Sequence, residues 1–257
     1  MIHWGKKLVR TRLGYVADFC PLCRAVRAFE LIRVGLAGHI YYISVTRGEL
    51  VEHRAQCTAC GTEFVTEPER YARPSKQALA PRELVQLTFP NLARHYANRL
   101  ALEKAIRDPF KKISQADRQW LLREPFRLLS FKAEERFRSS LVHHESIAVF
   151  FASLLVGFAI GSGVVSVLPQ FEEAIWITLA VAAAVATWVW SFWSRKRFVR
   201  KDVLAPLVSA LHPLKPTREE VAGVLEDMKA LGLKIGSRVE VDMVMEELRS
   251  HVPVTAA

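Results

Sequence analysis

Two stretches of this chain carry no charged residue. Residues 147–168, IAVFFASLLVGFAIGSGVVSVL, give 22 such positions, and residues 174–193, AIWITLAVAAAVATWVWSFW, give 20 more. At a helical rise of 1.5 Å per residue, each run predicts a helix of roughly 30 Å, the thickness of a hydrocarbon core. Between them lies only PQFEE, with Pro169 placed to stop the first helix. The pair predicts a transmembrane helical hairpin. A buried hairpin of a soluble domain is the alternative, and two consecutive charge-free runs of this length fit it poorly. Ser153, Gly157 and Gly161 recur at every fourth position, and Ala182 and Ala186 offer a matching small face. Such stripes let helices approach closely, within the hairpin or between copies of the chain. Neither run contains an ionisable residue, which argues against a proton relay or ion pathway built from this chain alone.

The pattern changes before residue 67. AFELIRV (28–34) and HIYYISVT (39–46) are rich in β-branched and aromatic residues, with GLAG (35–38) separating them. ELVEHRAQ (49–56) follows the turn RG (47–48), and TEFVT (62–66) predicts a short closing strand. The opening IHWGKKLVRTRL sets Ile2, Trp4, Leu8 and Val9 among four cations. It reads either as a segment lying on a membrane surface or as one packed on the strands. It has no continuous apolar core of the signal-peptide kind.

Elsewhere the pattern is helical. Pro68, Pro74, Pro81 and Pro90 punctuate a linker over residues 67–90, with a short helix around RELVQLTF. Residues 91–108 predict a helix capped by Asn91 and ended by Pro109. Residues 114–123 open with a Ser-x-x-Asp cap, Pro125 interrupts, and helix resumes toward the first apolar run. After the second run, TREE (217–220) predicts a capping box and a helix to about Leu231. GLKIG predicts a turn, and SRVE (237–240) a second capping box. Val224, Leu225, Met228, Val244 and Leu248 form the expected buried face of this helical pair, taken to dock on protein.

Charge adds orientation. The formal net charge is +10, and residues 1–146 hold 25 basic and 15 acidic residues. Arg136 and Arg138 precede the first run, and Arg195, Lys196, Arg197, Arg200 and Lys201 follow the second, while the turn between carries Glu172 and Glu173. The positive-inside rule then puts both termini in the cytoplasm. Trp188, Trp190 and Trp193 fall at the inner end of the second run and Trp176 at its outer end, where interfacial aromatics belong. Arg24, Arg27 and Arg54 are candidate polyanion contacts. The basic surround, 15 cations against 7 anions over residues 73–138, fits a solvated face near anionic lipid better than a nucleic-acid patch.

The four cysteines form two pairs, Cys20-x-x-Cys23 and Cys57-x-x-Cys60, the second followed by Gly61. Two such knuckles supply four thiolates, the closed tetrahedral shell of a structural zinc site. A redox couple would want its pair at the start of a helix, and a reducing cytoplasm disfavours disulfides. Iron also accepts an S4 site. Knuckle, strands, knuckle and closing strand resemble the zinc-ribbon family over about residues 14–66. The resemblance implies a small β fold that holds Zn2+ structurally through Cys20, Cys23, Cys57 and Cys60. It implies no activity, because ribbons serve many roles.

The expected fold class is therefore mixed and multi-part. Residues 1–66 hold the N-terminal segment and zinc ribbon, 67–146 a linker and basic helical region, 147–193 the membrane hairpin, and 194–257 a cytoplasmic helical tail. No phosphate loop, dinucleotide fingerprint or nucleophile–base constellation occurs. The expected function is non-enzymatic: an integral protein, suited to a bacterial inner membrane, that docks a protein partner at the cytoplasmic face. Homo-oligomerisation is a further expectation, and membrane-tethered nucleic-acid binding is the alternative.

Overall fold

The structure is a computed structural model that describes residues 4–40, 43–44, 46–108, 110–138, 144–167 and 169–250. Ile2, Tyr41, Tyr42, Val45, Pro109 and Leu168, which carry expectations above, lie outside the described residues. The chain divides into two compact units, residues 1–121 with 209–215 and residues 122–208 with 216–257.

The first unit is built on one antiparallel sheet. Its strands are β1 (Trp4–Cys20), β2 (Ala25–Ile40), β3 (Ile43–Ser44), β4 (Glu49–Cys57) and β5 (Glu63–Val65). They run in the order β1-β2-β4-β5, with β3 paired to β2. From Trp4 the opening segment is a 17-residue strand that pairs along the whole of β2, from Trp4↔Ile40 to Cys20↔Ala25.

GLAG does not separate two strands; β2 passes straight through it. The register of β2 on β4 shifts between Val34 and Gly35, and a Cβ at Gly35 would strike the Arg47 carbonyl. Glycine inside a strand often marks such a bulge or close backbone approach rather than a break. Arg33 then fastens the approaching turn, donating to the carbonyls of Arg47 and Gly48 at 2.8 and 2.9 Å. A second irregularity falls at Gly14, whose φ of 148° suits glycine. A side chain there would come within 2.5 Å of the Ser75 carbonyl, where Tyr15 and Ser75 exchange backbone hydrogen bonds of 2.7 and 2.8 Å.

Helix α1 (Pro81–Thr88) closes one face of the sheet. Its Thr88 hydroxyl accepts from the Ala17 N–H at 2.9 Å and donates to the Leu84 carbonyl at 2.7 Å. Val16, Phe19, Phe29, Leu31, Leu84 and Phe89 are buried in this unit. The expected helix over 91–108 is two, α2 (Leu92–His95) and α3 (Ala97–Arg107), and Asn91 makes no side-chain cap. The break lies at Tyr96, whose ring packs on Phe19 and Phe89 with centroids 5.6 and 6.4 Å apart.

The remaining helices are α4 (Gln115–Arg138), α5 (His144–Val167), α6 (Glu172–Phe198), α7 (Ala205–Leu211), α8 (Arg218–Ala230), α9 (Lys234–Arg238) and α10 (Val241–Ser250). A π-helical turn, Val199–Leu204, joins α6 to α7. Ser114 caps α4 as expected, accepting from the Asp117 N–H at 3.1 Å and donating to its carboxylate at 2.6 Å. Pro125 does not interrupt α4. A proline inside a helix costs about 3 kcal/mol, and the buried Leu121, Leu122, Phe126, Leu129 and Ala133 around it supply compensating burial.

The Thr217–Glu220 capping box of α8 forms in both directions, at 2.8 and 3.3 Å. The second box does not open a helix. Residues 234–238 are themselves α9, and Ser237 donates its hydroxyl to the Lys234 carbonyl instead, so residues 217–250 hold three α-helices rather than a pair. Val224, Leu225, Met228 and Val244 are buried as expected, and Leu248 is half-buried. Part of the tail packs on its own chain. The Glu134 carboxylate on α4 accepts the Lys234 N–H at 2.6 Å, and Arg123 pairs with Asp227.

Helices α5 and α6 pack along each other as a hairpin. Residues 148–167 and the apolar part of α6 are both long and apolar enough to cross a membrane. Their surfaces are not a protein core: only 6 % of each apolar window is buried, and Leu155 is 72 % exposed.

Candidate metal centre

The topology explains why cysteines 34 to 40 residues apart meet. Cys20 ends β1 and the first knuckle is the tip of the β1–β2 hairpin. Cys57 ends β4 and the second knuckle is the tip of the β4–β5 hairpin. Because β2 pairs antiparallel with both β1 and β4, with Ala25 opposite Cys20 and Phe29 opposite Cys57, both tips fall at one end of the sheet.

All four sulfurs lie within 4.8 Å of one another. Cys20 and Cys60 Sγ are 3.6 Å apart, and Cys23 and Cys57 Sγ 3.9 Å. These are not disulfides, whose sulfurs lie about 2.05 Å apart, and all four cysteines are free. Four thiolates at about 2.3 Å from one tetrahedral ion would have S···S edges of about 3.8 Å. The four cysteines are therefore positioned to bind a single metal ion.

The two knuckles share a backbone solution. In the first, the Cys23 N–H points at Cys20 Sγ, 3.4 Å away. In the second, Gly61 donates to the Cys57 carbonyl at 2.8 Å and the Cys57 N–H to Thr62 at 2.9 Å. The residue after each pair is left-handed, Gly61 with φ 68° and Arg24 with φ 52°. Glycine adopts this freely. Arginine does so at a cost of about 1 kcal/mol or more. Arg24 is 4 % exposed, its Nε donates to Glu103 at 2.8 Å and its Nη1 to the Ala210 carbonyl at 3.0 Å, and its own carbonyl accepts from Arg107. The buried side chain holds the strained backbone in place.

Packed thiols cannot all ionise without a cation. Hydrogen bonds from Cys23, Cys57 and Cys60, then burial, push the Cys20 thiol up. Contacts from Cys20 and Cys23 pull Cys57 and Cys60 down. A divalent ion among them removes that conflict by stabilising every thiolate at once.

The three arginines expected to touch a polyanion differ in their surroundings. Arg24 is buried and paired with Glu103, and Arg54 pairs with Glu52 at 2.6 Å and Glu63 at 3.3 Å. Arg27 is half-buried, with its Nε shielded from solvent. In the hairpin, a side chain at Gly161 would come within 2.7 Å of Leu179 and 2.8 Å of Trp176. Ser153, Gly157, Ala182 and Ala186 line one groove between α5 and α6.

Two polar networks escaped the sequence reading. Asp18, 6 % exposed, accepts from the Tyr71 hydroxyl at 2.6 Å and lies 3.7 Å from Arg70, which reaches the Tyr96 hydroxyl at 3.1 Å. Glu103 takes both Arg24 and Arg99. Long-range pairs of this kind leave no spacing signal. Compared with known proteins, the chain matches no family model, no curated protein and no solved structure.

Proposed function

We propose that this protein is a membrane-anchored zinc ribbon that docks a protein partner at the cytoplasmic face of a membrane, in the manner of a scaffold or accessory subunit without catalysis of its own. The observation that carries the reading is the four-cysteine cluster on the sheet's two hairpin tips, in a chain that also presents two long, outwardly apolar helices. Zinc is the ion this donor set suits best, with Cys20, Cys23, Cys57 and Cys60 as ligands in a shell closed to substrate. Bound there, zinc would supply folding free energy, on the order of 10 kcal/mol. The hairpin crosses the bilayer with Glu172 and Glu173 outside and both flanking regions inside, as the basic residues at its inner ends favour. The setting suits a bacterial inner membrane.

Docking is favoured over nucleic-acid binding because Arg24 and Arg54 are engaged by carboxylates. Purification of the tagged chain from membranes in mild detergent tests the reading. A stoichiometric protein partner, present with wild type and lost with Cys57→Ser, is the expected result. Purification of the metal-loaded chain with nucleic acid, salt-dependently and without any protein, would contradict it.

A further inference from the structure

The inner end of α6 carries a cavity of about 500 Å³ that the docking reading does not use. It is lined by Trp190, Trp193, Arg197, Phe198 and Lys201, with Arg136 of α4 and the residues Ser194 and Asp202 completing it. Trp190, Ser194, Arg197 and Lys201 follow one another at steps of four, three and four, so a single helical face presents two cations beyond the Trp190 indole, with Trp193 three residues on from it. The apolar side of the cavity is continuous with the exposed surface of the hairpin, where Trp190 and Trp193 are 42 % and 62 % exposed.

Charge in the cavity is uneven. Among its described lining residues the one carboxylate, Asp202, is held by Lys132 at 3.1 Å. Arg136 donates to the Ser194 hydroxyl at 3.2 Å and lies over the Phe198 ring at 5.6 Å, which fixes its guanidinium at the wall. Among the described residues, Arg197 and Lys201 make no ion pair. Lys201 and Asp202 sit on the π-helical turn, a rare backbone form that recurs at functional sites.

We infer that this cavity binds the phosphate headgroup of an anionic phospholipid, with Arg136, Arg197 and Lys201 around the phosphate and Trp190 and Trp193 against the glycerol and upper acyl chain. The inference rests on the membrane reading above. Its occupant follows from two features together, a cationic pocket and an apolar wall that leads into the membrane-facing surface. A free phosphate would use the first and waste the second. Basic pockets beside membrane helices are suited to such headgroups.

The test uses the full-length chain in mild detergent, offered an equimolar mixture of phosphatidylglycerol and phosphatidylcholine with matched acyl chains. Retained lipid is measured by mass spectrometry. Phosphatidylglycerol should be retained at least tenfold over phosphatidylcholine, because the choline of the latter offsets the phosphate charge that the cations attract. Arg197→Gln with Lys201→Gln should bring the two lipids to parity, while Lys111→Gln with Lys112→Gln, which removes as much charge elsewhere, should leave the preference intact. Metal content and melting temperature report that each variant is folded. Equal retention of both lipids by wild type would overturn the site, as would equal loss in both double variants. So would displacement of the lipid by glycerol 3-phosphate or by a short duplex oligonucleotide at comparable concentration. Washing membranes with alkaline carbonate separates the two readings. A chain that stays in the membrane without preferring the anionic lipid overturns the site alone, and a chain that is released overturns both.

Discussion

Arg24 illustrates how one residue can be misread from its neighbours in sequence. A basic residue beside a metal knuckle suggests a contact with a polyanion, yet its left-handed backbone and buried pairing with Glu103 make it an internal strut. Without Arg24 the buried Glu103 keeps Arg99 but loses its second arginine, and the Ala210 carbonyl loses its side-chain donor. Arg24→Ala should therefore destabilise the protein by about 3 kcal/mol in chemical denaturation, whereas Arg12→Ala, which removes the exposed pair with Glu30, should cost no more than about 1 kcal/mol. Equal effects would contradict the strut. The Asp18 network makes a pH-dependent prediction. Burial, then the Asp18 carboxylate, raises both the Tyr71 and Tyr96 phenols, the latter to about 12. An acid held neutral in the fold contributes stability below its unfolded value near 10, and that contribution is lost as the pH rises through the folded value. Melting temperature should fall between about pH 10 and pH 12, and Tyr96→Phe should flatten the fall.

At the scale of elements, legibility depended on whether the signal was local. The cysteine pairs could be read because a two-residue gap dictates a tight turn, and the capping box of α8 because its two hydrogen bonds span three residues. Strand β1 could not. Its outer half alternates in burial, with Lys6, Leu8, Arg10 and Arg12 on the exposed side and Lys7 and Thr11 half-buried opposite them, so hydrophobicity does not follow the pleat. Leu8 is 59 % exposed although it is apolar. The glycines of GLAG were legible as glycines but not as a bulge, because only the strand opposite makes Gly35 necessary. The α5–α6 hairpin offers a test at this scale. Gly161→Leu places carbon where Leu179 and Trp176 already stand and should lower the melting temperature in detergent, by the equivalent of about 1–3 kcal/mol. Gly163, with open space around its Cα, should accept leucine without effect. A similar loss at both positions would show that the helices do not meet through Gly161.

The chain joins a sheet that gathers four cysteines to a pair of helices long and apolar enough to cross a membrane. The four cysteines sit on two hairpin tips at one end of the sheet, so an ion there would tie together strands that are otherwise joined only through β2. The two apolar helices explain why the chain has a positive mean hydropathy despite its net charge of +10. Reporter fusions should place the turn at Glu172 and Glu173 outside and the C-terminal helices inside; the reverse would contradict the orientation. Removal of metal by a strong chelator should abolish the sheet's protection from protease while leaving the hairpin embedded. The most direct test of the account is elemental analysis of the full-length chain, purified in mild detergent from carbonate-washed membranes. The account predicts one zinc per chain in wild type and none in Cys57→Ser. A folded wild-type chain without bound metal, or recovery of the chain in the carbonate supernatant, would contradict it.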